Sequence, residues 1–174
     1  VPEVMSGIFY MTLVAWYSST MKKVVILLVF TAAIVGLGYK VLQSVPDPSI
    51  QGLPKITATI DSQKFSLYAP ATPEGLQHGL SVFKKIESNE GMIFRGLPVG
   101  VQTFWMKDMK FDIDIIWVNK DNQIVHIVYA ASKDSYPQRY ENPANRPSAY
   151  VIELKAGTVD KYSIAPGMAV QISE

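Results

Sequence analysis

Sixteen consecutive residues, Val24 to Tyr39, carry no charge, and the pair Lys22 and Lys23 stands immediately before them. As a helix this run would rise ~24 Å at 1.5 Å per residue. With Lys40 snorkelling and Val41 and Leu42 added, it approaches the ~30 Å hydrocarbon core of a bilayer. Residues 21–43 are therefore expected to form an N-terminal transmembrane helix. The stretch Tyr39-Lys40-Val41-Leu42-Gln43 lacks the small-x-small pattern of a cleavage site. An uncleaved signal anchor is thus preferred over a cleaved signal. Lys22 and Lys23 would hold the N-terminus inside and send the rest of the chain out of the cytoplasm.

Residues 1–20 fit this scheme less simply. Val4 to Tyr17 is uncharged, but a run of that length is short for a span. The segment reads as an over-extended start or an extra hydrophobic segment. If it did span, the lysine pair would lie in a cytoplasmic turn and the domain would still be outside. Residues 44–54 read as a linker, because Pro46 and Pro48 among small polar residues make a stiff, extended tether.

Residues 55–174 remain as one domain, long enough to bury its own core. From Pro46 onward the chain holds 13 basic and 14 acidic residues. That near-neutral balance offers no basic stripe for phosphates, so nucleic acid is not expected as a partner. The chain has no cysteine, which excludes disulfides, thiolate metal sites and a cysteine nucleophile.

Periodicity within the domain is mainly that of strands. Ile56, Ala58 and Ile60 alternate, Asp61-Ser62 reads as a turn, and Lys64 to Ala69 returns with Phe65 and Leu67 inward. Thr72-Pro73-Glu74 has the form of a helix start: hydroxyl cap, proline at the first position, acid in the first turn. Leu76, Leu80, Phe83 and Ile86 follow at helical spacing. Met92 to Arg95, Gln102 to Met106 and Phe111 to Asn119 read as strands. Lys120-Asp121-Asn122 is a turn into Gln123 to Ala130. Ser132 to Ser148, with three prolines, reads as a long loop of the kind that often carries function. Tyr150 to Leu154, a threonine-capped helix over Thr158 to Ser163, and Met168 to Ile172 complete the domain. The expected fold class is mainly β: a small β-sandwich or barrel-like domain with one or two short packed helices. Phe104, Met106, Ile113, Ile115, Ile152 and Leu154 are expected in its core.

Three stretches carry a family resemblance. They are Gly79-Leu80 with Asn89-Glu90-Gly91-Met92-Ile93-Phe94; Phe104-Trp105-Met106-Lys107-Asp108 running on to Ile113-Asp114-Ile115-Ile116-Trp117; and Tyr150 to Gly157, followed by Ile164 and Pro166-Gly167. In order and spacing the domain resembles the family called domain of unknown function 192 (DUF192), along roughly residues 55–172. The resemblance implies a small β-rich fold, often behind a signal or anchor, and it implies no reaction. The chain departs from the family pattern after Gly79-Leu80, where Ser81-Val82-Phe83-Lys84 replaces a methionine, an aromatic and an arginine. It departs again at Asp112, where the family usually has proline.

Charges set inside apolar strands mark the candidate site. On an alternating strand Trp105 and Lys107 share one face, and Phe104 and Met106 the other. Asp112 and Asp114 share a face opposite Phe111, Ile113, Ile115 and Trp117, and Glu153 projects opposite Ile152 and Leu154. Unpaired burial of a charge is costly, so these groups either converge on a polar pocket or form ion pairs and turn caps on an exposed face. The functional reading places Trp105, Lys107, Asp114 and Glu153 around one ligand-binding pocket, with the 132–148 loop at its rim.

Sharper chemistry finds less support. His78 and His126 with Met92, Met106, Met109 and Met168 form no close ligand cluster in sequence, and core methionines are usually gap fillers. No metal and no cofactor are therefore expected. Ser81 three residues after His78 lacks a nucleophile elbow. Asp112 and Asp114 could act on a glycan, but same-face strand carboxylates are more often solvated. The expectation is an extracytoplasmic, membrane-anchored binding or interaction domain of the cell envelope, for a small polar ligand or an envelope component. The alternative is an envelope hydrolase acting on a glycan or other polar substrate through its carboxylates and lysine.

Overall fold

The computed structural model describes residues 53–173, together with Lys23, Val24, Leu27 and Thr31, which are helical. The chain divides into two compact units, Val1–Pro46 and Asp47–Glu174. No helix among the described residues is long and apolar enough to cross a membrane. The expected anchor over 21–43 and the segment 1–20 lie outside the described residues, those four positions excepted.

In the second unit, β1 (Lys55–Ile60) and β2 (Gln63–Tyr68) form the expected hairpin. Ile60 pairs with Gln63 across a two-residue turn, in which Asp61 takes the left-handed conformation that aspartate tolerates. A crossover then carries the chain through α1 (Pro73–His78). The Gly75 N–H donates to Thr72 Oγ1 at 3.1 Å, and Pro73 and Glu74 occupy the first turn. The helix stops sooner than the spacing of Leu76, Leu80, Phe83 and Ile86 suggests. Gly79 has φ +53°, and a 3-10 turn over Gly79–Val82 replaces the continuing helix.

β3 (Glu90–Phe94) pairs parallel to β2 and antiparallel to β8 (Tyr150–Lys155). β5 (Ile113–Val118) and β6 (Ile124–Ala131) form the second expected hairpin. The short strands β4 (Thr103–Trp105) and β7 (Arg139–Glu141) pair separately, so the 132–148 loop contains a strand. After β8 come α2 (Thr158–Lys161) and β9 (Val170–Ser173).

The seven-stranded sheet has the order β6-β5-β8-β3-β2-β1-β9. Its edges meet at one end. Gln123 bridges Ala169, the Ile124 N–H donates to the Met168 carbonyl at 2.9 Å, and the Val170 N–H donates to the Asn122 carbonyl at 2.8 Å. The domain is mainly β as expected, and of the two forms expected the curled sheet is the barrel-like one, a half-barrel, and not a two-sheet sandwich.

Every strand of that sheet gives side chains to one core, with Ile60, Leu67, Ile93, Ile116, Ile127, Ile152 and Val170 among them. This is the inner face of the curl, and Val159 and Ile164 from the α2 region pack against it. A second core lies on the outer face of β3, β5 and β8. There Met92, Phe94, Ile115, Trp117 and Val151 meet Leu80, Phe83 and Met106. Burial on both faces leaves all six residues of β5 buried. Met106, Ile113, Ile115, Ile152 and Leu154 are core residues as expected. Phe104 is half-buried instead, because it forms a wall of the cleft described next.

Candidate functional site

The site lies where the outer face of the sheet meets the α1 region and the β4 segment. Gly79 ends α1 with positive φ, and a Cβ there would stand 3.3 Å from Phe94 Cζ and 3.7 Å from Glu153 Oε2. Glycine therefore lets the turn approach the middle of β8. On the other side β4 brings Phe104 and Trp105 over the same region. Phe104 packs edge-on against Phe94 and Trp117, with centroids 4.9 and 6.1 Å apart. The Trp117 indole N–H donates to the Gln102 carbonyl at 2.9 Å and holds β4 at this height.

The result is a cleft of about 200 Å³. Glu153 lines its depth. Leu76, Leu80, Phe94, Leu97 and Met109 give apolar walls, and Gln102, Thr103, Trp105, Lys107 and His78 also line it. Glu153 is 4% exposed. The Leu80 N–H donates to its carboxyl group, but burial outweighs that bond and pushes the acid up to about 8. Its Oε2 has no hydrogen-bond partner. Most buried polar atoms are paired, so an orphan oxygen on a residue that lines a cleft calls for a reason. Trp105 is 38% exposed, and the Arg139 guanidinium from β7 stands 5.2 Å from its ring. The 132–148 loop thus touches Trp105 through Arg139, and none of its own residues lines the cleft. Lys107 is exposed and makes no ion pair among the described residues.

The structure brings Trp105, Lys107 and Glu153 together and leaves Asp114 out. Asp114 pairs in register with Leu154, and Ile115 with Glu153. Neighbouring residues on a strand face opposite ways, so Asp114 points to the inner face while Glu153 points to the outer one. Asp114 Oδ1 accepts from the Ala130 N–H and Oδ2 from the Val159 N–H, each at 2.9 Å. The first bond fixes the irregularity in β6, where Ala130 has φ +44°. The second caps α2. Gly157 occupies the N-cap position and gives no side-chain bond, so Asp114 does at long range what Thr158 was expected to do. Asp114 is a structural carboxylate. Asp112 lies before β5, exposed, and accepts from the Lys133 N–H at 2.8 Å.

Two contributors were not singled out from sequence as site residues. From sequence Gly79 stands out only within the Gly79-Leu80 stretch that carries the family resemblance, and its place after the Thr72-Pro73 helix start is the available signal. Leu80 acts through its backbone N–H, for which no residue type gives a signal. Among the described residues no group of three or more histidine, aspartate or glutamate side chains is placed to hold a metal.

A curled sheet covered on its outer face by a glycine-ended helix and a Phe-Trp-Met-Lys segment defines a small β domain with a cleft. The chain belongs to the DUF192 family, described as Uncharacterized ACR, whose model matches residues 56–172. No curated protein matches the chain. Two solved structures share the fold. One, from Sinorhizobium meliloti 1021, is a protein provisionally described as a transcription regulator. It is 23% identical with a TM-score of 0.63, over 69% of this chain and 95% of that one. The other, from Novosphingobium aromaticivorans DSM 12444, is a protein of unknown function. It is 28% identical with a TM-score of 0.58, over 70% of this chain and 88% of that one.

Proposed function

We propose that this chain is a membrane-anchored, extracytoplasmic binding domain of the cell envelope whose cleft takes a small polar ligand. The observation that carries the binding reading is Glu153: a buried carboxyl group with one oxygen lacking a partner, lining a cleft open to solvent. Orientation by a few polar groups on apolar walls is how small-molecule sites achieve specificity. Trp105 supplies an aromatic wall and Lys107 a cation. The location rests on the sequence alone, on Lys22-Lys23 and the uncharged run after them.

The binding reading is tested by NMR on the full chain titrated with a fragment panel of sugars, amino acids, acids and amines. Shifts are expected at the Gly79 amide and the Trp105 indole, and no shift with any fragment defeats the reading. The location is tested by a reporter fused after Glu174. It should be active only outside the cytoplasm, and cytoplasmic activity defeats the anchor.

An envelope hydrolase is the second reading. It is favoured by an acid held protonated near neutral pH in the same cleft as His78, the setting a general acid needs. Hydrolysis of cell-wall glycan fragments by the full chain, abolished in E153Q, would support it. Intact fragments by mass spectrometry would leave binding as the function.

A further inference from the structure

Resting on the reading of the cleft as a binding site, we propose that its ligand is a small monoanionic organic acid with a compact apolar body. The acid's carboxylate is received by the Glu153 carboxyl group and balanced by Lys107.

The geometry narrows the ligand in three ways. First, Glu153 Oε2 is buried and has no partner, while the Leu80 N–H serves the carboxyl group from the protein side. Burial keeps the group protonated near neutral pH, since it is pushed up to about 8. The Leu80 N–H donates to the other oxygen and so takes the carbonyl side of the group, which leaves the O–H on Oε2 and asks the ligand for an acceptor. An anionic oxygen is the strongest one, in a short charge-assisted O–H···O⁻ bond. Second, the cleft contains a lysine and no ionised acid. Lys107 makes no ion pair among the described residues, and it repels a cation that would otherwise draw the proton from Glu153. Third, the walls between these groups are apolar, with Leu76, Leu80, Phe94 and Met109 among them. A cleft of about 200 Å³ holds roughly seven water-sized groups at ~30 Å³ each. That suits a short-chain or single-ring acid.

Binding is then coupled to a proton. Ionisation of Glu153 would set two carboxylates against each other, so acid binding should weaken as pH rises through the Glu153 transition. His78 and Lys107 are the other titratable groups facing the cleft, and substitution of Glu153 alone separates its proton from theirs.

Benzoate, benzamide and benzamidine share one shape and differ in charge, so they serve as probes. The full chain is titrated with each at pH 6 and pH 9.5, followed at the Gly79 amide and the Trp105 indole. Benzoate should bind most tightly at pH 6. Its affinity should fall about thirtyfold by pH 9.5, the loss expected when only the protonated fraction of Glu153 is competent. In E153Q, which keeps a donor and cannot ionise, this fall of about thirtyfold should disappear. K107A, at an exposed position that folding tolerates, should weaken benzoate by more than benzamide. Tighter binding of benzamidine, strengthening with pH, would overturn the acid assignment and leave the binding site standing. Equal binding of all three probes without pH dependence would overturn it as well. No shift with any probe would defeat both the assignment and the reading it rests on.

Discussion

Asp114 and Glu153 lie one register step apart on paired strands, Asp114 opposite Leu154 and Glu153 opposite Ile115, and project from opposite faces of the sheet. Asp114 is buried with each oxygen accepting one backbone N–H. Glu153 is buried with one oxygen unpaired beside a cleft. Two similar carboxylates therefore have different work. One closes the architecture, and the other is available to a ligand.

Asp114→Ala should destabilise the domain by about 1–3 kcal/mol, because it leaves the buried Val159 N–H without an acceptor and removes the bond that holds Ala130. Urea unfolding measures this. At temperatures where the variant is folded, probe binding in the cleft should match wild type. A selective loss of binding with unchanged stability would put Asp114 back in the site.

Glu153 should make stability depend on pH in the direction opposite to a salt-bridged carboxylate. Its folded value, about 8, lies above the ordinary 4.5. The native state therefore holds the proton more tightly between those two values. Stability is greatest below about pH 4.5 as far as this group is concerned, falls by up to ~1.4 kcal/mol per pH unit through the window, and levels off above about pH 8. Chemical denaturation at pH 5, 7 and 9 should show this slope in wild type and its loss in E153Q. The same slope in both proteins would remove Glu153 as its source.

Gly79→Ala should cost about 1–3 kcal/mol for the backbone alone, because φ +53° with ψ −141° is a conformation that glycine adopts and L side chains avoid. The added methyl would also meet Phe94 and stand close to Glu153 Oε2. Probe affinity should therefore fall together with the melting temperature. Full affinity in a stably folded G79A variant would show that the cleft floor lies elsewhere.

Asn142 should control the order of the 132–148 loop. Its side chain accepts from the Gln102 N–H at 2.8 Å and donates to the Gly100 and Arg146 carbonyls at 3.1 and 2.7 Å. Asn142→Ala removes all three bonds, and hydrogen exchange should accelerate in β4 and β7 while β5 and β8 stay protected. Unchanged protection at Thr103 and Trp105 would contradict this role.

What could be read from the sequence was local. The Asp61-Ser62 turn, the Thr72-Pro73-Glu74 helix start and the Lys120-Asp121-Asn122 turn each place their chemistry within a few residues, and each stands where it was expected. The parallel pairing of β2 with β3 joins Ser66 to Glu90, and no short-range pattern encodes it. β7 escaped notice because Arg139-Tyr140-Glu141 is a strand only by virtue of its partner Thr103–Trp105. The misplacement of Asp114 has a clear origin. β5 is buried on both faces, so apolar alternation no longer tells one face from the other, and Asp114 and Glu153 look alike in sequence. Trp105, Lys107 and Glu153 were legible as a group because two are neighbours on β4 and its turn, and the third is a charge set among Val151, Ile152 and Leu154.

The most direct test is a carboxyl ¹³C NMR titration of Glu153 in the full chain, assigned by its loss in E153Q. A midpoint near 8 is expected, moved higher by saturating benzoate because a bound anion favours the protonated form. A midpoint in the ordinary glutamate range of ~4.3, unmoved by benzoate, would contradict the claim that the cleft is built around a neutral acid.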